Sequence, residues 1–200
     1  MMDNPNIEAA PAAALIAAFL DAVLPPEGQG WRCMWAKLGQ QNKQTFHPTN
    51  AELAAQLVKY DALGWDVYFC TASLKEPGNR TRANAHSLRA FRLDADVKPG
   101  AYATWQDATL ATAHFVGSLG LMPTLVHSGH GIHCYIALDK AIAPAVWLPL
   151  AKVLDQKAKA AGLLLDHAVT VDVVRVLRPP WTTNRKGEPW PVKLLTQVSR

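Results

Sequence analysis

Two stretches decide the fold: residues 90–97, AFRLDADV, and residues 123–138, PTLVHSGHGIHCYIAL. In the first, Leu93, Ala95 and Val97 alternate with Asp94 and Asp96, the period-2 pattern of a strand. Side chains at i and i+2 share a face, so the two carboxylates project side by side with the apolar residues behind them. In the second, Pro123 to Ser128 and His133 to Leu138 are strand-like runs flanking Ser-Gly-His-Gly, the pattern of a β-hairpin. Gly129 and Gly131 permit positive φ and close backbone approach. Thr104 to Leu119 reads as a helix between the two stretches. Antiparallel strands interleaved with helices define an α+β fold.

Outward from this centre the chain alternates helical and strand signals. Ala9 to Val23 is Ala/Leu-rich and helical, stopped by Pro25-Pro26 and by Gly28 and Gly30. Trp31 to Leu38 reads as a strand. Ala51 to Leu63 reads as a helix capped at Pro48-Thr49-Asn50 and ended by Gly64. Trp65 to Thr71 is a buried strand, residues 75–89 are a basic loop, and Ala90 to Val97 follows as a strand. Pro144 opens a helix to about Ala161. The tail alternates short apolar pieces, Val169 to Leu177 and Val192 to Leu195, with a basic turn at 182–188. These elements predict six or seven strands.

Composition sets outer bounds. The chain has 200 residues, is 50% hydrophobic and 18% charged, which is ordinary globular composition rather than that of a disordered chain. No run approaches roughly 18 uncharged apolar residues, so no membrane span is expected. No Lys or Arg precedes Arg32, which argues against a secretory leader. Cys33, Cys70 and Cys134 are scattered without a CxxC pair, which suits a reducing, cytoplasmic setting. Lys+Arg 20 against Asp+Glu 16 gives +4, a mild bias toward polyanionic partners.

Asp94 and Asp96 repel one another, and a divalent cation offsets that cost. Carboxylate oxygens suit Mg²⁺ or Mn²⁺, and such a pair can organise a two-metal site for in-line phosphoryl transfer. The alternative is a solvated strand end in which each Asp pairs with Arg92 or Lys98. In the glycine turn, Ser128 and His133 can reach a triphosphate while Gly131 admits its backbone. A zinc site built from His127, His130, His133 and Cys134 is disfavoured, because adjacent strand residues point to opposite faces. Asp172 can supply a third carboxylate, with Asp166 as its rival. Arg175, Arg178, Arg185 and Lys186 add cations suited to phosphates. The basic loop, through Lys75, Arg80, Arg82 and Arg89, is expected to contact template or triphosphate, and Arg185 to join it in binding nucleic acid.

Taken in order, Asp94-x-Asp96, Ser128-Gly-x-Gly131-x-His133, and Asp172 followed by Arg178-x-Pro180-x-Thr182-x-Asn184-x-Lys186 resemble the motifs of the archaeo-eukaryotic primase (AEP) superfamily. The resemblance is to the primase-polymerases of phages, plasmids and CRISPR-linked systems, and it covers roughly residues 90–190. Pro179 stands where many members have Leu, and Trp181 where they have Gly. The resemblance implies a single catalytic domain over 1–200. Within it, residues 1–89 form an N-terminal α/β subdomain with a leading helix, and 90–200 carry an RRM-like antiparallel sheet flanked by helices. It implies Asp94, Asp96 and Asp172 as metal-holding catalytic residues with His133. Nucleotide binding falls to Ser128, Gly131, His133, Arg178, Asn184 and Lys186. The implied function is template-directed, metal-dependent synthesis and extension of primers on single-stranded DNA from NTP or dNTP substrates. A C-terminal helical or helicase domain often follows such a core. The competing readings are a metal-dependent nuclease or phosphoesterase on the same carboxylates, and a non-catalytic module that grips single strands.

Overall fold

A computed structural model describes residues 6–196. The chain runs α1 (Asn6–Val23), β1 (Arg32–Leu38), β2 (Gln41–His47), α2 (Asn50–Ala62), β3 (Asp66–Cys70), β4 (Ala72–Leu74) and β5 (Ala85–Asp96). It continues α3 (Trp105–Ser118), β6 (Thr124–His127), β7 (Gly131–Ile142), α4 (Pro144–Ala160) and α5 (His167–Val171). Short strands β8 (Val176–Leu177), β9 (Thr183–Asn184), β10 (Trp190–Pro191) and β11 (Lys193–Leu194) complete it.

Two antiparallel sheets result. One has the order β2-β1-β3-β8, the other β11-β6-β7-β5-β4; β9 and β10 pair separately. Alternation along β5 and β7 sorts the core. Leu93, Ala95, Ile132, Cys134 and Ile136 pack with Ala108, Phe115 and Val116 of α3 and Leu154 and Ala158 of α4. On the opposite face Ala90 and Tyr135 join a core with α1, α2 and the other sheet. There Ile16, Phe19, Leu20 and Val23 of α1 follow helical spacing and are fully buried, each contributing about 1.5–3 kcal/mol. Phe19 meets Phe69 and Tyr135 edge-on, at centroid distances of 5.8 and 5.4 Å, and so joins the two sheets.

The cap read at Thr49 is present, and Thr104, read as helical, instead caps α3. Thr49 accepts from the Glu52 amide at the start of α2, and Thr104 from the Asp107 amide at the start of α3. One stretch with no sequence assignment becomes a strand, and two readings change. Gln41–His47 (QNKQTFH) is a strand despite its polarity, because it is the outer strand of its sheet and half of it faces water. The basic segment is a loop only to Asn84: Ala85 begins β5, where the Ser87 hydroxyl lies 2.9 Å from that of Ser73 across the β4 pairing. The supposed boundary between 89 and 90 therefore falls inside a strand, and β4 belongs to the second sheet while β8 returns to the first. Finally, 167–171 is helical rather than extended. The Asp166 side chain caps it, accepting from the Ala168 amide.

Candidate active site

Strands of both sheets line a polar cleft of about 350 Å³. The first sheet provides Tyr68, Val176 and Leu177; β5 and β7 provide Asp94, Asp96 and His133; Ser128 and His130 come from the glycine turn. Lys98, Asp166, Arg175, Arg178, Asn184 and Lys186 complete its wall. A second hollow, about 400 Å³, lies between α3 and the end of α4, with no acidic or basic side chain beyond His114 in its lining.

The strand register places Asp94 opposite His133 and Asp96 opposite Gly131. Asp94 is buried, and its carboxylate accepts no hydrogen bond among the described residues. The nearest charge partner is His133 Nε2, 3.8 Å away. Burial first, and the neighbouring Asp96 second, push the Asp94 carboxyl up to about 7. Burial, with Arg178 and Arg175 nearby, pushes His133 down to about 3, so its ring is neutral; its Nδ1 has no hydrogen-bond partner among the described residues. Asp96, at the cleft mouth, pairs with Lys98 at 2.6 Å, an exposed contact of small energetic weight.

The turn is held from two sides. A Cβ on Gly131 would lie 2.4 Å from the Ala95 carbonyl oxygen, so only glycine lets β7 approach β5 this closely. Gly129 has φ +97, and Asn184 Nδ2 donates to the Ser128 carbonyl at 2.6 Å. Asn184 Oδ1 accepts from the Lys186 amide, and His130 Nε2 donates to the Lys186 carbonyl. The turn and the tail loop are thus one hydrogen-bonded unit. Trp181 has φ +62, the left-handed region that a glycine adopts without strain. Trp181 thus holds a backbone conformation that favours glycine, with an indole in place.

The third acidic residue in the cleft lining is Asp166; Asp172 is not among the lining residues. Because α5 turns the chain, Asp172 ends that helix away from the cleft lining. Its Oδ1 accepts from the Val174 amide, and its carbonyl accepts from Arg92. The Asp166 amide donates to the Asp94 carbonyl at 2.8 Å, which sets Asp166 on the cleft wall; its Oδ2 lies 3.8 Å from Arg175. The signal was an Asp preceding a short apolar run, an N-cap pattern.

The basic residues divide differently from expectation. Arg178 lines the cleft, but its guanidinium binds Asp66 at 2.5 Å and lies 4.4 Å from the Tyr68 ring centroid. Arg185 is tied to Asp61 and the Trp65 carbonyl at the end of α2 and does not line the cleft. Arg80 donates to the Val174 carbonyl, and Arg89 to the carbonyls of Asp21 and Leu138. Both arginines hold the fold together. Lys75 and Arg82 are exposed on the loop before β5, and neither lines the cleft. Lys186 lines it, exposed and without an acidic partner among the described residues. Arg175, read from sequence as a cation suited to phosphates, does line the cleft, whereas Tyr68 was missed as a site residue. Strand alternation gives Tyr68 away only once the face of β3 is known.

A zinc cage is not formed: His127 stacks on Trp105, Cys134 faces the helices, and no three His, Cys, Asp or Glu side chains gather to hold a metal among the described residues. Two carboxylates are nevertheless enough for a Mg²⁺-type ion, which draws its other ligands from substrate phosphates and water. The unpartnered, charge-disfavoured Asp94 beside Asp96 fits such an oxygen-seeking cation.

The fold has known counterparts. The catalytic domain of primase RepB', solved in complex with initiator DNA, aligns with 94% of this chain and 86% of its own length, at TM-score 0.61 and 16% identity. This chain has a primase-polymerase fold. The AEP domain of the cyanophage S-2L primase-polymerase aligns at TM-score 0.60 and 17% identity, over 95% of this chain and 90% of that one. The polymerase domain of Mycobacterium tuberculosis ligase D, solved in complex with DNA, aligns at 0.57 and 15%, over 94% and 80%. No family model and no curated sequence matches the chain. In this primase-polymerase fold the cleft sits between the two sheets, and no helix among the described residues is long and apolar enough to cross a membrane.

Proposed function

We propose that this cleft transfers nucleotides from NTP or dNTP substrates to a 3′-hydroxyl on a single-stranded DNA template, assisted by Mg²⁺ or Mn²⁺. One observation carries the reading. In a primase-polymerase fold, Asp94 and Asp96 project together into a cleft beside the glycine turn and neutral His133 of the neighbouring strand, with Arg175 and Lys186 also in its lining. Asp94 and Asp96 would hold divalent ions, with Asp166 adding negative charge from the adjoining wall. Those ions, when bound, lower the pKa of the attacking hydroxyl and neutralise the leaving pyrophosphate.

The chain's own residues do the rest by position and charge. Gly131 keeps the turn close enough for its backbone to approach a phosphate. Neutral His133 can donate one hydrogen bond to a phosphate oxygen without repelling the cations beside it. Arg175 and Lys186 bring positive charge to the triphosphate. Arg178, neutralised by Asp66, instead fixes the Tyr68 ring on the cleft floor. Asn184 fixes the turn through the Ser128 carbonyl.

Incubation with a primed single-stranded template, nucleotides and Mn²⁺ tests this. Extended strands support the proposal, provided Asp94→Asn makes none. Shortened strands would mean a nuclease using water as nucleophile, and a mobility shift without new products would mean a binding module. Either result rejects nucleotidyl transfer.

A further inference from the structure

The cleft does not end the chemistry of this face. Two tryptophans are exposed where the glycine turn meets the tail: Trp105 at 36% and Trp190 at 44%. The Trp105 ring stacks on His127, with centroids 4.9 Å apart and planes 28° from parallel. Trp190 meets the same imidazole edge-on at 6.4 Å and 76°. We propose that Trp105 and Trp190, braced by the buried His127 ring, form a base-stacking site for single-stranded nucleic acid at the rim of the cleft. The inference rests on the reading of the cleft given above.

Backbone continuity joins rim to cleft. His127 precedes Ser128, and Trp190 pairs in register with Asn184; both Ser128 and Asn184 line the cleft. A Cβ on Gly129 would lie 3.3 Å from Trp190 Cβ, so Trp190 adjoins the turn itself. A strand leaving the cleft past the turn crosses these rings. His127 is itself buried, at 4% exposure, so it backs the two exposed indoles and the bases meet the indoles.

The surroundings favour a nucleic acid over an apolar peptide. Lys193 is the register partner of His127, and exposed Lys186 stands beside the turn; Glu188 is the one acid between them in the sequence. Separate aromatic plates flanked by lysines match the way single strands are held, with bases on rings and phosphates on cations. No aliphatic groove that would seat a helix is formed by these residues.

The test is the anisotropy of a labelled single-stranded DNA of about 12 nucleotides, a length within reach of one such domain. The intact chain is titrated without nucleotide or divalent ion. Trp105→Ala and Trp190→Ala should each weaken binding by roughly tenfold, with an unchanged salt slope because no phosphate contact is removed. Trp190→Phe should keep most of the affinity, and Trp190→Leu, equally apolar but without a π face, should behave like Trp190→Ala. Alanine variants binding within twofold of wild type, or leucine matching tryptophan, would overturn the site. Strand extension by the wild-type chain, measured in parallel, separates the two ideas. Extension with unaffected binding in the tryptophan variants removes the stacking site alone. Tryptophan-dependent binding without extension keeps the site and removes nucleotidyl transfer.

Discussion

Replacing Asp94 with asparagine should make the metal-free protein more stable, and the gain should vanish in acid. The folded chain holds the Asp94 proton up to about 7, whereas the ordinary value is 3.8. Between those values the folded state binds more protons than the unfolded state, so stability falls as pH rises. Above pH 7 the whole penalty is present. Three pKa units correspond to about 4 kcal/mol; desolvation of the new amide and relaxation around the charge bring the expected gain at pH 8 to about 2–4 kcal/mol. For a domain of this size that raises the melting temperature by about 5–10 °C. His133 acts in the opposite direction. Held down to about 3 in the fold, it stays neutral while the unfolded chain takes up its proton near 6.5, so stability is lost as pH falls below that value. In wild type the two slopes oppose each other between about pH 4 and 6.5. In Asp94→Asn only the histidine slope remains, and stability climbs toward neutrality. Urea unfolding followed by tryptophan fluorescence, in chelator from pH 3.5 to 8.5, reads both effects. A variant no more stable than wild type at pH 8, or a gap that persists at pH 3.5, would refute the claim that Asp94 is an uncompensated buried charge.

Three other outcomes are expected. Asp166→Asn keeps the helix cap, since asparagine caps as well as aspartate, and should lower incorporation at least roughly tenfold; Asp172→Asn should leave it near wild type in the same assay. Gly131→Ala places a methyl against the Ala95 carbonyl and should cost about 2 kcal/mol or more in chemical denaturation, because β5 and β7 must separate. Trp181→Ala and Trp181→Gly both lose the indole, but only glycine relieves the positive φ, so the alanine variant should be less stable by about 1 kcal/mol; equal stabilities would show that the turn relaxes.

Much of this arrangement is legible along the chain because it depends on local rules. Period-2 alternation in AFRLDADV is enough to put Asp94 and Asp96 on one face, and Ser-Gly-His-Gly between two apolar runs is enough to make the hairpin that carries His133. The caps at Thr49 and Thr104 are equally local, since each side chain bonds an amide three residues away. Where local polarity misleads, partners supplied by other segments decide. Gln41–His47 is a strand because β1 offers it a ladder, and Ala85 to Arg89 extends β5 because β4 lies alongside.

Charge was the least legible feature. The sequence by itself determined which residues are basic, but only the tertiary structure decided where each guanidinium ends. Arg80, Arg89 and Arg185 bond carbonyls and acids far away in sequence, and Arg178 is neutralised by Asp66. Which of Asp166 and Asp172 lines the cleft was decided in the same way. A five-residue helix and one backbone hydrogen bond to Asp94 carry the first to the cleft and turn the second from it. Spacing along the chain reports which face a side chain takes within its own element, whereas convergence on a site depends on how separate elements pack.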